Sequence, residues 1–185
     1  MSAKTNDKNN KKRLVILDMV FTAMFTAIIA VCSIISIPVG EVPITLQTFA
    51  VCIAAALLGK KRGTLSVLIY ILLGAVGVPV FGGMAGGIGV LAGPTGGYII
   101  GFLPAAVIIG FAAERYERLA LPLLISMIVG VLVCYAFGSV WFMVVMKWGI
   151  VETLAACVLP FIIPDAIKIA LAVLLANRLG KAVKL

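Results

Sequence analysis

Histidine is absent from all 185 residues. Its absence removes the side chain that most often serves as general base or metal ligand near neutral pH. No H-E-x-x-H, G-x-S-x-G or paired-cysteine zinc spacing occurs either. Membrane hydrolase or protease chemistry is therefore not expected, nor is a metal or a cofactor. Neither Gly59-Lys60-Lys61 nor Gly180-Lys181-Ala182 completes a phosphate-binding G-x-x-x-x-G-K-[ST] loop. Any ATP must therefore be hydrolysed by a partner. Carboxylates are scarce, with seven Asp and Glu in all, and Asp165 has no acidic neighbour nearer in sequence than Glu152. The four cysteines, Cys32, Cys52, Cys134 and Cys157, form no Cys-x-x-Cys pair and lie in or at the edge of apolar runs, where packing is the expected role.

The chain is instead rich in apolar side chains. It is 63% hydrophobic and only 12% charged, with a mean hydropathy of +1.24, whereas a soluble domain is about half apolar and a quarter charged. Lipid must be the solvent over most of the surface. A net charge of +8 would ordinarily raise nucleic acid as a partner, but the placement of the charges argues against it. Lys4, Lys8, Lys11, Lys12 and Arg13 precede the first apolar run; Lys60, Lys61 and Arg62, then Arg115 and Arg118, then Arg178, Lys181 and Lys184 follow at every second gap between runs. This is the pattern of basic residues retained on the cytoplasmic side, in contact with anionic lipid headgroups.

These features predict an all-α integral membrane protein with six transmembrane helices and both termini cytoplasmic. Residues 1–13 read as a polar, basic cytoplasmic tail, and 14–185 as one membrane domain with helices at about 14–37, 44–58, 64–78, 94–112, 119–146 and 160–177. Val15 to Ile37 is longer than the apolar region of a signal peptide and lacks a small-x-small cleavage site, so it is read as a retained first helix. "GKKRG" and "AERYER" are inner turns; "PVGEVP", the segment 79–98 and the segment from Lys147 to about Leu159 lie on the outer side.

Polar chemistry gathers on that outer side. Asp165 and Lys168, in "PFIIPDAIK", are three apart and share a helix face; a structural ion pair and a ligand-facing pair are both open, because charges in a membrane face a protein interior or a cavity. In "EVPITLQTF", Thr45, Gln47 and Thr48 offer hydrogen bonds either to a neighbouring helix or to a ligand. The stretch "PVFGGMAGGIGVLAGPTGGY" has eight glycines in twenty positions and cannot lie bare against lipid, since its backbone polar groups need partners. Its Thr95 and Tyr98 add a hydroxyl and an aromatic wall, or Tyr98 anchors at the interface. Gly87, Gly89 and Ala92 fit G-x-G-x-x-A, but outside a strand-turn-helix unit the motif does not mean a dinucleotide. The convergence predicts one outward pocket for a small, largely hydrophobic ligand with a hydrogen-bonding head. In helix 1, Ala23, Ala27 and Ala30 form a small-residue stripe that either packs within the bundle or meets another subunit. Asp18 is expected to snorkel or to pair with the basic tail.

"VPITLQTF", "LLGAVGVPVFGGMAGGIGVLAGPTGGY" and "IIPDAIK", in this order over nearly the whole chain, resemble the BioY family, the biotin-binding S components of energy-coupling factor (ECF) transporters. The resemblance implies a non-enzymatic, multi-pass protein of a bacterial plasma membrane that captures biotin near the outer face. It implies as partners the transmembrane coupling protein EcfT and two ABC-type ATPases, with Ala23, Ala27 and Ala30 docking on EcfT. Carried over by motif, the ligand-binding set is Thr45, Gln47, Phe81, Gly83, Met84, Gly87, Gly93, Thr95, Tyr98, Asp165 and Lys168. At Gly83 to Ala85 the family can carry a larger polar group where this chain has Gly-Met-Ala. An S component for a different vitamin, or a small membrane enzyme acting on a lipid headgroup, are the rival readings.

Overall fold

Long apolar runs become long helices, with Pro104 and Pro164 accommodated inside two of them. The computed structural model describes residues 2–38 and 42–182. Residues 39–41 of the first outer loop and Lys184 of the last basic cluster lie outside the described residues, as do the side chains of residues 1–12 and 181–182, which carry Lys4, Lys8, Lys11, Lys12 and Lys181. The elements are α1 (Ser2–Ile34), β1 (Ser36–Ile37), β2 (Ile44–Thr45), α2 (Gln47–Ala75), α3 (Ile88–Ala92), α4 (Gly96–Arg115), α5 (Ala120–Met146), α6 (Ile150–Cys157) and α7 (Leu159–Ala182), with a 3₁₀ turn at Gly82–Met84. Among the described residues, four segments, Arg13–Ile34, Gly96–Arg115, Ala120–Met146 and Leu159–Gly180, are long and apolar enough to cross a membrane. Their outward faces carry large uncovered apolar side chains such as Met19, Leu121, Val144 and Leu174. In water such a surface would aggregate; in lipid it is solvated.

The helix α2 is not straight. Gly59 (φ 78°, ψ −174°) sits in a region of backbone space open essentially only to glycine, and there the element doubles back on itself. The arms 47–58 and 60–75 lie side by side: a Cβ at Gly63 would be 2.7 Å from Ala55 Cα, and the Gln47 amide reaches the Tyr70 hydroxyl at 2.8 Å. The break leaves helix-end backbone groups without helical partners, and the α4–α5 connection supplies them. Arg118 donates from Nε to the Ala56 carbonyl (3.1 Å) and from Nη2 to that of Leu57 (2.9 Å), while Glu114 Oε1 accepts from the Lys60 N–H at 2.8 Å. Two residues of the "AERYER" turn thus cap both sides of the "GKKRG" turn. A Cβ at Gly59 would lie 2.4 Å from Glu114 Oε1. Gly59→Ala is therefore expected to cost about 1–3 kcal/mol in backbone strain, and to displace the Glu114 cap as well. The loss is read as a lower Tm of the detergent-purified protein, with an unchanged Tm contradicting the account.

Packing of α1 on α2 uses small hydroxyls. Thr26 Oγ1 donates to the Ser66 carbonyl and Ser66 Oγ to that of Thr22, both at 3.1 Å. At the end nearer the Gly59 turn, Asp18 pairs with Arg62 of the second arm of α2 at 2.8 Å; the tail lysines expected as its partners lie outside the described side chains.

Several boundaries differ from the sequence expectation. The backbone is helical from Ser2, ahead of the expected start at 14, because residues 2–13 contain no Pro or Gly and extending a formed helix costs little. The helix stops at Ile34, and residues given to helices 1 and 2 instead form a small antiparallel hairpin, Ser36 opposite Thr45 and Ile37 opposite Ile44, as suits β-branched side chains. The second arm of α2 ends at Ala75, short of 78, and α4 begins at Gly96, later than 94. The outer segment after Lys147 contains the short helix α6, whose first turn is closed by the Glu152 carboxylate accepting from the Gly149 N–H at 3.3 Å.

Candidate functional site

A cavity of about 210 Å³ opens where the hairpin, the start of α2, the glycine-rich connection and the facing parts of α4, α5, α6 and α7 meet. Its walls are mostly apolar, built from Phe81, Phe102, Val131 and Phe161, and its polar groups are few. This balance suits a small ligand with an apolar body and a hydrogen-bonding head.

The charged centre stands on α7. Pro164 has no N–H, so the helix ladder is interrupted one residue before Asp165. Asp165 and Lys168 point to one face and are 3% and 7% exposed, which puts a full ion pair in the protein interior. Lys168 Nζ meets Asp165 Oδ1 at 2.7 Å, and the Tyr135 hydroxyl of α5 donates to Asp165 Oδ2 at 2.5 Å. Both distances are those of charge-assisted hydrogen bonds. Each carboxylate oxygen keeps a further lone pair, and the ammonium keeps two further N–H donors. The cluster can therefore accept from a ligand donor and give to a ligand acceptor side by side.

Of the residues assigned from sequence, Thr45, Gln47, Phe81, Thr95, Tyr98, Asp165 and Lys168 come together around the cavity, and Thr48 joins them. Tyr98 is buried rather than anchored at an interface, its hydroxyl 3.4 Å from Ser139 Oγ. Gly83, Met84, Gly87 and Gly93 do not line the cavity. Phe81 N–H bonds the Ala85 carbonyl at 2.9 Å, so residues 82–84 form the tip of a tight turn. Gly82 and Ala85 at its base face inward, while Gly83 meets open space and Met84 is exposed. Gly87 instead ties its N–H to the Gly74 carbonyl at 2.7 Å, and Gly93 accepts from the Trp141 indole at 3.0 Å. The glycines thus serve mainly to fold the connection onto itself: a Cβ at Gly96 would stand 1.7 Å from the Leu91 carbonyl oxygen. Of the glycines in this connection, Gly82 at the base of the turn is the one that lines the cavity.

Tyr135 escaped the sequence reading. The signal was present, since it is the single tyrosine in the 27-residue apolar helix α5, and a phenol buried in such a setting needs a partner for its hydroxyl.

The alanine stripe faces outward. Ala23 and Ala27 are exposed and Ala30 half-buried, and with Leu65, Ile69 and Leu73 of α2 they line a shallow groove of about 620 Å³. Packing within the bundle falls instead to the adjacent Thr22 and Thr26.

Comparison with known proteins agrees in extent and kind. The model of the BioY family matches residues 4–185. The biotin transporter BioY of Thermotoga maritima is 45% identical over 163 residues, covering 88% of this chain and 95% of that one. The biotin transporter BioY2 of Lactococcus lactis is 37% identical over 162 residues, with 86% and 88% covered. Among solved structures, the S-component for biotin from an ECF-type ABC transporter superposes with a TM-score of 0.85 at 32% identity, covering 94% of each chain.

Proposed function

The chain belongs to the BioY family, and from that premise we propose that it is a biotin-capturing S component of an ECF-type transporter in a bacterial plasma membrane. The observation that carries the reading is the Asp165–Lys168 pair, held almost without exposure in the wall of an apolar cavity. Biotin's ureido ring offers two N–H donors and a carbonyl acceptor. Asp165 accepts from an N–H and Lys168 donates to the carbonyl, while Phe81, Phe102 and Phe161 cover the thioether ring and the valeryl chain. Thr45, Gln47, Thr95 and Tyr98 complete the polar rim.

In the membrane, the two arms of α2 join the four long apolar helices to make six spans, with both termini cytoplasmic and the cavity outward. Placement of the basic clusters at the turns around Gly59 and Arg115 supports this orientation. Uptake requires partners. The coupling protein EcfT docks on the groove along Ala23, Ala27 and Ala30, and two ABC-type ATPases supply the energy that this chain has no phosphate loop to harvest. The protein itself binds and delivers rather than catalyses.

Mass spectrometry of small molecules that copurify with the detergent-solubilised protein tests the ligand. Biotin is the expected species, and a different vitamin in its place overturns the assignment.

A further inference from the structure

The cavity carries two charges, and they cancel. Among the described residues that line it, Asp165 and Lys168 are the charged ones, and they are bonded to each other at 2.7 Å. The other polar side chains of the wall are hydroxyls, thiols and the Gln47 carboxamide. The three loop residues outside the described set are Val39, Gly40 and Glu41, and they bring no cation. Lys147 is the one basic residue of the outer segments, and it is exposed at the end of α5 and does not line the cavity.

The pair also lies deep. Asp165 and Lys168 follow the start of α7 at Leu159 by about 9 and 14 Å along the helix axis, whereas Val42, Pro43, Gly82 and Ala85 reach the cavity from the connections at the helix ends. A ligand whose head is held by the pair therefore directs its tail toward those connections. Biotin's tail ends in an ionised carboxylate, and burying one without a counter-charge is costly. Lys168 cannot supply that counter-charge, because a second carboxylate beside it would stand against Asp165 as a like charge. The neutral donors that remain, such as the threonine hydroxyls, bond the carbonyl oxygen of an ester or an amide as readily as a carboxylate oxygen. The wall thus has no means of telling a charged tail from a neutral one.

Resting on the biotin reading above, we propose that the site reads the ureido bicycle and leaves the carboxylate unread: the tail ends in water at the mouth of the cavity, beside the turn at Gly82 and Ala85. The ligand class is then the bicyclic ring on a tail of either charge. It takes in the esters of biotin and its amides, including the amide with a lysine side chain.

The test uses the purified full-length protein and three ligands: biotin, its methyl ester, and its amide with the side-chain amine of lysine. All three are expected to bind with dissociation constants within about fivefold of one another, since a solvated charge contributes little. A carboxylate held by a cation makes a charge-assisted bond that an ester lacks, so a loss of about tenfold or more for either neutral-linked tail overturns the proposal. Lys147→Met is expected to leave all three affinities unchanged. A selective loss of biotin against its ester in that variant assigns the carboxylate to Lys147 and overturns the proposal too. Ala85→Lys supplies the missing cation on the path given to the tail, and should create a preference for biotin over the ester of at least about tenfold. An unchanged ratio there means that the tail does not pass the turn, which removes the proposed path. A wild type that binds biotin alone takes down this inference and spares the parent reading, whereas one that binds none of the three takes down both.

Discussion

Lys168→Met and Asp165→Asn each abolish high-affinity biotin binding, with an expected loss of at least about a hundredfold, or ~2.8 kcal/mol. Each also lowers stability, because removing one member of a buried ion pair leaves the other charged and uncompensated, at a typical cost of about 3–5 kcal/mol. Lys168→Met strands the Asp165 carboxylate with the Tyr135 hydroxyl as its remaining hydrogen-bond partner among the described residues, and Asp165→Asn strands an ammonium that is 7% exposed. The two effects separate in the double variant. Asp165→Asn combined with Lys168→Met carries no charge at the site, so its Tm should return toward that of the wild type while biotin binding stays lost. Isothermal titration and thermal unfolding in detergent read the two quantities independently. Full affinity in both single variants would assign the pair to holding α7 against α5 and remove it from the binding site.

Ala23→Trp or Ala27→Trp abolishes biotin uptake by cells that carry the whole transporter and leaves the affinity of the isolated protein unchanged. Both alanines are exposed on a groove between α1 and the second arm of α2, and none of the stripe lines the binding cavity. An indole in that groove holds a partner helix away from the close approach that small residues allow in lipid, without reaching the ligand. Uptake of labelled biotin, set beside a binding isotherm on the purified variant, checks both halves. Normal uptake by both variants means that the stripe meets only lipid.

The pairing of Asp165 with Lys168 was legible because three residues along a helix always bring two side chains to one face. The convergence of Thr45, Gln47, Thr95 and Tyr98 was legible as polar chemistry concentrated in a few outer segments of an otherwise apolar chain. Tyr135 was not, since its partner Asp165 lies 30 positions away on another helix. That Gly83, Met84, Gly87 and Gly93 stand outside the cavity lining was not legible for a related reason. Composition marks a stretch as able to turn and to pack closely, but not which glycine faces the cavity and which one turns away. Arg118 is a similar case: as a charge it reads only as one more basic residue, while as a side chain it caps the broken end of the first α2 arm.

From the sequence alone came the solvent, the helical character of the long apolar runs, and the scarcity of groups able to do chemistry. Hydropathy and charge are summed along the chain, and they need no partner to be read. Tertiary contacts alone decided which way the alanine stripe faces and what holds Asp165. In lipid the packed interior and the outer surface are equally apolar, so helical periodicity cannot tell one from the other. The hydrogen bond between Gln47 and Tyr70, 23 positions apart, exists only once both arms of α2 are folded together.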